Sequence, residues 1–337
     1  MKQLRRAGIL GTGMFLPEKR VTNFDLEKMV DTTDEWIITR TGIRERRFVE
    51  PHQKVSDLAI PAAEMALKNS GVSPDKIGMV ILATFTPDRL ISATACIIQN
   101  KLGCKNAAAM DLEVACSGFT YGTTLGSSLI ASGFCDYVLV IGGDILSKVL
   151  DFTDRNTCVL FGDGAGAIVL GPVEGDEGIF DVLLGADGSG SEHIIIPAGG
   201  TGMPTTLKTV EDRLHFVKIN GKEVFKFSTK IVGDMIEEVL HRNRLTLNDV
   251  SLIIPHQANI RIIESAAKRF DCPMEKFFCN LEKYGNTVAG TIPIGLHEAL
   301  SQGRIKEGDL VLLVGFGGGL SWGLIAIRWG KTVVKLA

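Results

Sequence analysis

Apolar residues in this chain gather into short dense runs, separated by segments of helical period. Ile77–Thr84, Asp136–Gly143 and Ser251–Pro255 are rich in Ile, Val and Leu and bounded by turn residues, which predicts strands buried on both faces. Ala167–Leu170 and Leu324–Arg328 read the same way. Between them, helices are predicted over Asn23–Val30 with Asn23 as N-cap, Ser56–Ser70 ending at Gly71, Ile91–Leu102 and Asn259–Phe270. The last has Ile260, Ile263, Ala267 and Phe270 as its apolar face, with Arg261, Lys268 and Arg269 projecting elsewhere.

Two stretches lack this amphipathic pattern. Val114–Cys135 contains no charged residue, and the run opened by Lys283-Tyr-Gly-Asn286-Thr is nearly uncharged until His297-Glu298. The glycines and hydroxyl residues of the first make it a poor membrane span, so both are expected to be helices buried inside the protein. Gly118, Gly122 and Gly126 recur every four residues and fall on one side, where another backbone can come close.

The pattern restarts about halfway. Val72-Ser-Pro-Asp75 before one strand matches Leu245-Thr-Leu-Asn248 before another, 173 positions on, and Asp136 matches Asp309 at the same offset. Leu112-Glu113 matches Leu281-Glu282, 169 on, and Cys116 falls opposite Asn286, 170 on. A duplicated α/β architecture is expected, with residues 1–172 carrying Cys116 and residues 173–337 carrying His256 and Asn286.

Composition narrows the function. A net charge of −3 gives no bias toward nucleic acid, and no apolar segment is long enough to insert in a membrane. The basic start Met1–Arg6 leads into a Gly-broken run and Pro17, which reads as a first strand and not a signal peptide. The 7 Cys include no C-x-x-C pair, and the 6 His show no metal-ligand spacing. Disulfides and a metal site are therefore not expected, and a cytoplasmic setting is.

Cys116 stands where a strand turns into a buried helix. A helix start favours an anion and lowers a thiol's pKa, although a buried Cys is most often a small hydrophobe. His256 emerges at the C-terminal end of a strand, where open α/β sheets place ligands. Gly315-Phe-Gly317-Gly-Gly319 offers unobstructed N–H groups to a developing oxyanion. Trp36 and four Arg lie within Trp36–Arg47, which suits either a nucleotide or a solvated loop. Gly11-Thr-Gly13 fails as a dinucleotide fingerprint, because the third glycine would fall at Leu16. Phe161-Gly-Asp-Gly-Ala-Gly166 runs into a strand, so its glycines read as close packing and not a phosphate loop.

Together these motifs resemble the β-ketoacyl-(acyl-carrier-protein) synthase III family of thiolase-like condensing enzymes. The matching residues are Asp34–Arg46, Ala115-Cys-Ser-Gly-Phe119, Leu160–Ala167, Pro255-His-Gln-Ala-Asn-Ile-Arg261, Lys283–Thr287 and Gly315–Gly319, in the family's order. The resemblance implies a layered αβαβα fold with two buried central helices. It implies a cytoplasmic homodimer that needs no cofactor, with acyl-CoA and malonyl-acyl carrier protein as substrates. Cys116 would carry the acyl group, His256 and Asn286 would stabilise the enolate, and the N–H groups of Cys116 and Gly318 would form the oxyanion hole. Trp36, Arg40, Arg155, Gly221 and Asn259 match CoA-binding positions. Gln257, Ala258, Asn259, Ile260 and Arg261 match the carrier-docking segment, with Lys226, Lys268 and Arg269 as accessory charges. Ile91 matches the residue that caps the acyl pocket across a dimer interface, although Ser92 stands where many members have Pro.

Sibling condensing enzymes of polyketide or long-chain acyl-CoA metabolism share the same three residues. A hydroxymethylglutaryl-CoA synthase would want a Glu near the Cys, and Ala83–Leu90 offers only Asp88. A non-catalytic carrier-binding partner would lack the nucleophile.

Overall fold

The computed structural model describes residues 5–330, so the first four residues of the basic start Met1–Arg6 and the end of the second predicted half lie outside the described residues. Dense apolar runs become central strands because both faces of each sheet are covered. The first sheet comprises β1 (Arg6–Phe15), β2 (Ile77–Ala83), β3 (Ala108–Leu112), β4 (Tyr137–Asp144) and β5 (Gly164–Val173), in the order β1-β5-β4-β2-β3. The second comprises β6 (Gly178–Ala186), β7 (Leu252–Pro255), β8 (Leu310–Gly317) and β9 (Ser321–Arg328), in the order β6-β9-β8-β7.

Each sheet repeats the other's plan. β4 runs parallel to β2 and antiparallel to β5, as β8 runs parallel to β7 and antiparallel to β9. The place of β3 is marked in the second sheet by one parallel bridge between Ile253 and Phe277.

Five layers result. Between the sheets lie α3 (Gly118–Ser132) and α6 (Thr291–Ser301), whose Phe119, Ile130, Ile292 and Leu296 pack with Ile81, Val140, Ile254 and Leu313. Alternation then sends Val80 and Leu82 to the opposite face, against α2 (Val55–Ser70). The outer face of the second sheet is covered by α4 (Gly221–Arg242) and α5 (Ile260–Arg269). A further helix, α1 (Asp34–Thr41), stands near the start of α5, where Asn259 Nδ2 donates to the Arg40 carbonyl at 3.0 Å.

Several sequence expectations need correction. The first short helix covers only Asn23–Leu26, and Thr22 is its N-cap in a reciprocal pair with Asp25. The predicted Ile91–Leu102 helix is Thr94–Lys101, because the Asp111 carboxylate accepts from the N–H groups of Thr94 and Ala95, both at 2.7 Å. On α5 the buried residues are Ile262, Ile263, Ala266 and Ala267, a face rotated from the expected one. α4 was not foreseen, although Ser228, Val232, Met235, Ile236, Val239 and Leu240 bury at helical spacing. Gly118, Gly122 and Gly126 do share one side of α3; Gly118 meets Ala83 of β2, its backbone included, while Gly122 and Gly126 meet only side chains, chiefly Val140 and Leu170.

The repeat register also shifts. Ala115 (φ 43°) and Val288 (φ 52°) are both left-handed, and both open one-turn 3₁₀ segments that run into the central helices. Their offset of 288 − 115 = 173 matches that of the strands. Glu113 Oε1 accepts from Ala115 N at 3.2 Å, as Asn286 Oδ1 accepts from Val288 N at 2.8 Å. Asn286 is therefore the counterpart of Glu113, and Cys116 is the counterpart of Ala289.

The two helix starts sit against the ends of β4 and β8, and glycine permits this. A Cβ on Gly142 would lie 2.2 Å from the Ala289 carbonyl oxygen. Gly142→Ala must push the α6 entry off the first sheet, so it is expected to lower stability by about 2 kcal/mol. Guanidinium denaturation checks this, and an unchanged midpoint would contradict it.

Candidate active site

Cys116 lies in the 3₁₀ turn Ala115–Ser117, just before α3. The strand β8 ends beside it. A Cβ on Gly317 would lie 2.6 Å from the Cys116 Cβ and 3.0 Å from its Sγ, so only glycine fits there. The N–H groups of Gly318 and of Cys116 itself act on the sulfur to lower its pKa. They do not prevail: burial, with the Asp144 charge adding to it, pushes the thiol up to about 12. The lowered thiol expected from a helix start is thus overturned. Cys116 precedes the helix, and desolvation outweighs the two N–H groups.

His256 follows β7 and is buried. Its N–H donates to the Val314 carbonyl at 2.7 Å, and its ring stands edge-on to Phe316 at 5.2 Å. Nδ1 is 2.6 Å from Thr291 Oγ1. Burial lowers the imidazole to about 3 and the Val288 backbone opposes this only weakly, so the ring is neutral at neutral pH. Protonating it costs on the order of 5 kcal/mol more than in water.

Asn286 is fixed through its backbone, which donates to the Leu160 carbonyl at 2.9 Å and accepts from Gly162 N at 3.0 Å. With Oδ1 engaged by Val288 N, its Nδ2 is the group left for a ligand.

Cys116, His256, Asn286 and Gly318 line one cavity of about 1420 Å³. Phe85, Leu146, Phe161, Ile196, Val217 and Leu320 give it apolar walls. The same cavity takes in Trp36, Arg40, Arg155, Gly221 and Asn259. The guanidinium groups of Arg40 and Arg155 lie over the Trp36 ring at 5.0 and 5.2 Å. Ala258 and Arg261 also reach it.

Other expected residues stand apart. Gln257 is fully buried: its Nε2 donates to the carbonyls of Pro255 and Phe278, and its Oε1 accepts from Asn280 N. It cannot touch a docked partner without unmaking these bonds. Arg269 is tied to Asp234 and Glu237 and is not a free accessory charge. Ile260 packs near the apolar wall, against Gly42. Lys226 and Lys268 are exposed, with no ion pair among the described residues. Ile91 is 86% exposed and does not line the cavity of its own chain. Arg46, in the segment read as nucleotide-binding, is buried and bonded to Asn23 and to the Val159 carbonyl.

Sequence reading missed Asp144. Its Oδ1 accepts from Thr84 Oγ1, Phe85 N, Thr86 N and Thr86 Oγ1, and its Oδ2 from Ala289 N at 3.3 Å. It braces the cavity-wall segment Thr84–Thr86 against the entry to α6, and burial raises it to about 6. Its only sequence signal is a charge closing an apolar strand.

Among the described residues there is no cluster of three potential metal ligands and no helix long and apolar enough to cross a membrane.

Comparison with known proteins extends along nearly the whole chain. Residues 110–188 match the family described as 3-Oxoacyl-(acyl-carrier-protein (ACP)) synthase III, and residues 240–329 match its C-terminal counterpart. The β-ketoacyl-(acyl-carrier-protein) synthase III of Caldanaerobacter subterraneus subsp. tengcongensis is 53% identical over 325 residues, 96% of this chain and 98% of that protein. The crystal structure of 3-oxoacyl-(acyl-carrier-protein) synthase III from Aquifex aeolicus VF5 superposes with a TM-score of 0.88 at 43% identity, covering 96% of this chain and all of that one. The enzyme of the same name from Pseudomonas aeruginosa PAO1 gives 0.90 at 38% identity, covering 98% and 100%.

Below its pKa a thiol's thiolate fraction grows about tenfold per pH unit. Iodoacetamide labelling of Cys116 should therefore rise from pH 7 to 10 without a plateau. Asp144→Asn removes a neighbouring negative charge, which lowers the thiol's pKa and raises labelling at pH 8. A plateau below pH 8 in the wild type would contradict this.

Proposed function

The chain belongs to the β-ketoacyl-(acyl-carrier-protein) synthase III family, and from that premise we propose how its own residues carry the reaction. It is a condensing acyltransferase that initiates fatty-acid synthesis. Cys116 Sγ attacks the thioester carbonyl of acyl-CoA. The developing oxyanion lies toward the N–H groups of Cys116 and Gly318. As the carbonyl re-forms, CoA leaves with the thiol proton and the acyl group stays on Cys116.

Malonyl-acyl carrier protein then enters the same cavity. Its carboxylate carbon leaves as carbon dioxide, and the electron pair moves onto the thioester as an enolate. His256 and Asn286 donate to that oxygen. The enolate carbon attacks the Cys116 thioester and expels the sulfur, giving a 3-ketoacyl carrier protein. The chemistry needs neutral donors in a dry site, and calls on neither a metal nor an organic cofactor.

Trp36 and Arg155 flank the CoA adenine, while Arg40, Gly221 and Asn259 serve the phosphates and pantetheine arm. The carrier docks on Ala258–Arg261 with Lys226 and Lys268 nearby. Ile91, exposed on its own chain, caps the acyl pocket of the second subunit in a homodimer. The seven unpaired cysteines fit a cytoplasmic enzyme. The observation that carries the reading is the single cavity shared by Cys116, His256, Asn286 and Gly318.

Intact mass after mixing with a panel of acyl-CoAs tests it. The wild type gains an acyl adduct and Cys116→Ser gains none. Asn286→Ala keeps the adduct but loses malonyl decarboxylation by about 10²-fold or more. An adduct on the Ser variant, or wild-type decarboxylation by the Ala variant, would overturn the assignment.

A further inference from the structure

We infer that Thr291 is a positioning residue whose single hydroxyl proton selects the tautomer of His256. This rests on the reading that His256 donates to the enolate. Thr291 opens α6 and is buried. Its Oγ1 has two neighbours, His256 Nδ1 at 2.6 Å and the Val288 carbonyl oxygen at 2.9 Å. A threonine hydroxyl can donate to only one of them, and a neutral imidazole carries one proton.

Two arrangements follow. If Thr291 donates to Val288, its oxygen can only accept from His256, so the ring proton sits on Nδ1. Nε2 is then a bare lone pair and repels an enolate oxygen. If Thr291 turns and donates to Nδ1, the ring proton sits on Nε2 and can be given to the enolate. The second arrangement is the productive one, and it needs a hydroxyl that leaves the Val288 carbonyl for Nδ1. Val288 has a left-handed backbone fixed by the Asn286 side chain, so the carbonyl competing for the hydroxyl belongs to the segment that positions the other enolate donor.

Thr291→Val keeps the shape and removes the hydroxyl. The Val288 carbonyl, already a weak partner of the ring, is then the acceptor left for Nδ1–H, and the unproductive tautomer is favoured. Malonyl-thioester decarboxylation should fall about 10²-fold, as for loss of one enolate donor. Cys116 acylation, read by intact mass, should be unchanged, and Thr291→Ser should restore decarboxylation. Ring ¹⁵N shifts of His256 in the acylated enzyme should report Nε2–H in the wild type and in Thr291→Ser, and Nδ1–H in Thr291→Val.

Wild-type decarboxylation by Thr291→Val while His256→Ala is inactive would overturn the inference alone. Wild-type decarboxylation by His256→Ala would overturn the reading beneath it. Should the Val variant fold poorly, an Nδ1–H ring in the acylated wild type would by itself overturn the inference.

Discussion

The structure depends on the contact between two buried helix entries and the strand ends beside them. α3 and α6 both lie between the sheets, and their 3₁₀ entries meet where β4 and β8 finish. Gly142 lets the Ala289 carbonyl close on the first sheet, and Gly317 lets Cys116 close on the second. The repeat is exact enough to reproduce a left-handed residue in each entry, Ala115 and Val288. It is broken at the residues proposed to carry the chemistry. One half has a sulfur where the other has Ala289, and Asn286 stands where the first half has Glu113.

Dryness sets the electrostatics of the centre. Burial raises the thiol, lowers the imidazole and raises Asp144, so each group moves toward its neutral form. A neutral imidazole and a carboxamide can donate to a developing enolate without being consumed as acids. Asp144 keeps a role in this arrangement because five N–H and O–H contacts satisfy it while it braces Phe85 against the α6 entry.

Much of this was legible in the sequence, for a local reason. Central strands announce themselves as unbroken Ile, Val and Leu runs, and the central helices as stretches with little or no charge. Cys116, His256 and Asn286 each stand at an element junction that the pattern marks. What was not legible depends on residues distant in the chain. The start of the Thr94–Lys101 helix is set by Asp111 from the next strand. Arg46 looks available until Asn23 and Val159 enclose it, and Gln257 looks like a surface residue until Phe278 and Asn280 take its amide. The direction of the thiol's shift was misjudged because the N–H groups of a helix start were weighed above the desolvation that the buried position brings. α4 was overlooked although its period is plain.

The central proposal is that a sulfur from one half and two neutral donors from the other serve one condensation in one cavity. A crystal structure of the acylated enzyme with a non-decarboxylating malonyl-thioester analogue tests it most directly. The account predicts the acyl group on Cys116, with the analogue's thioester oxygen within hydrogen-bond distance of His256 Nε2 and Asn286 Nδ2. An acyl group on another residue, or an analogue whose oxygen meets neither donor, would contradict it.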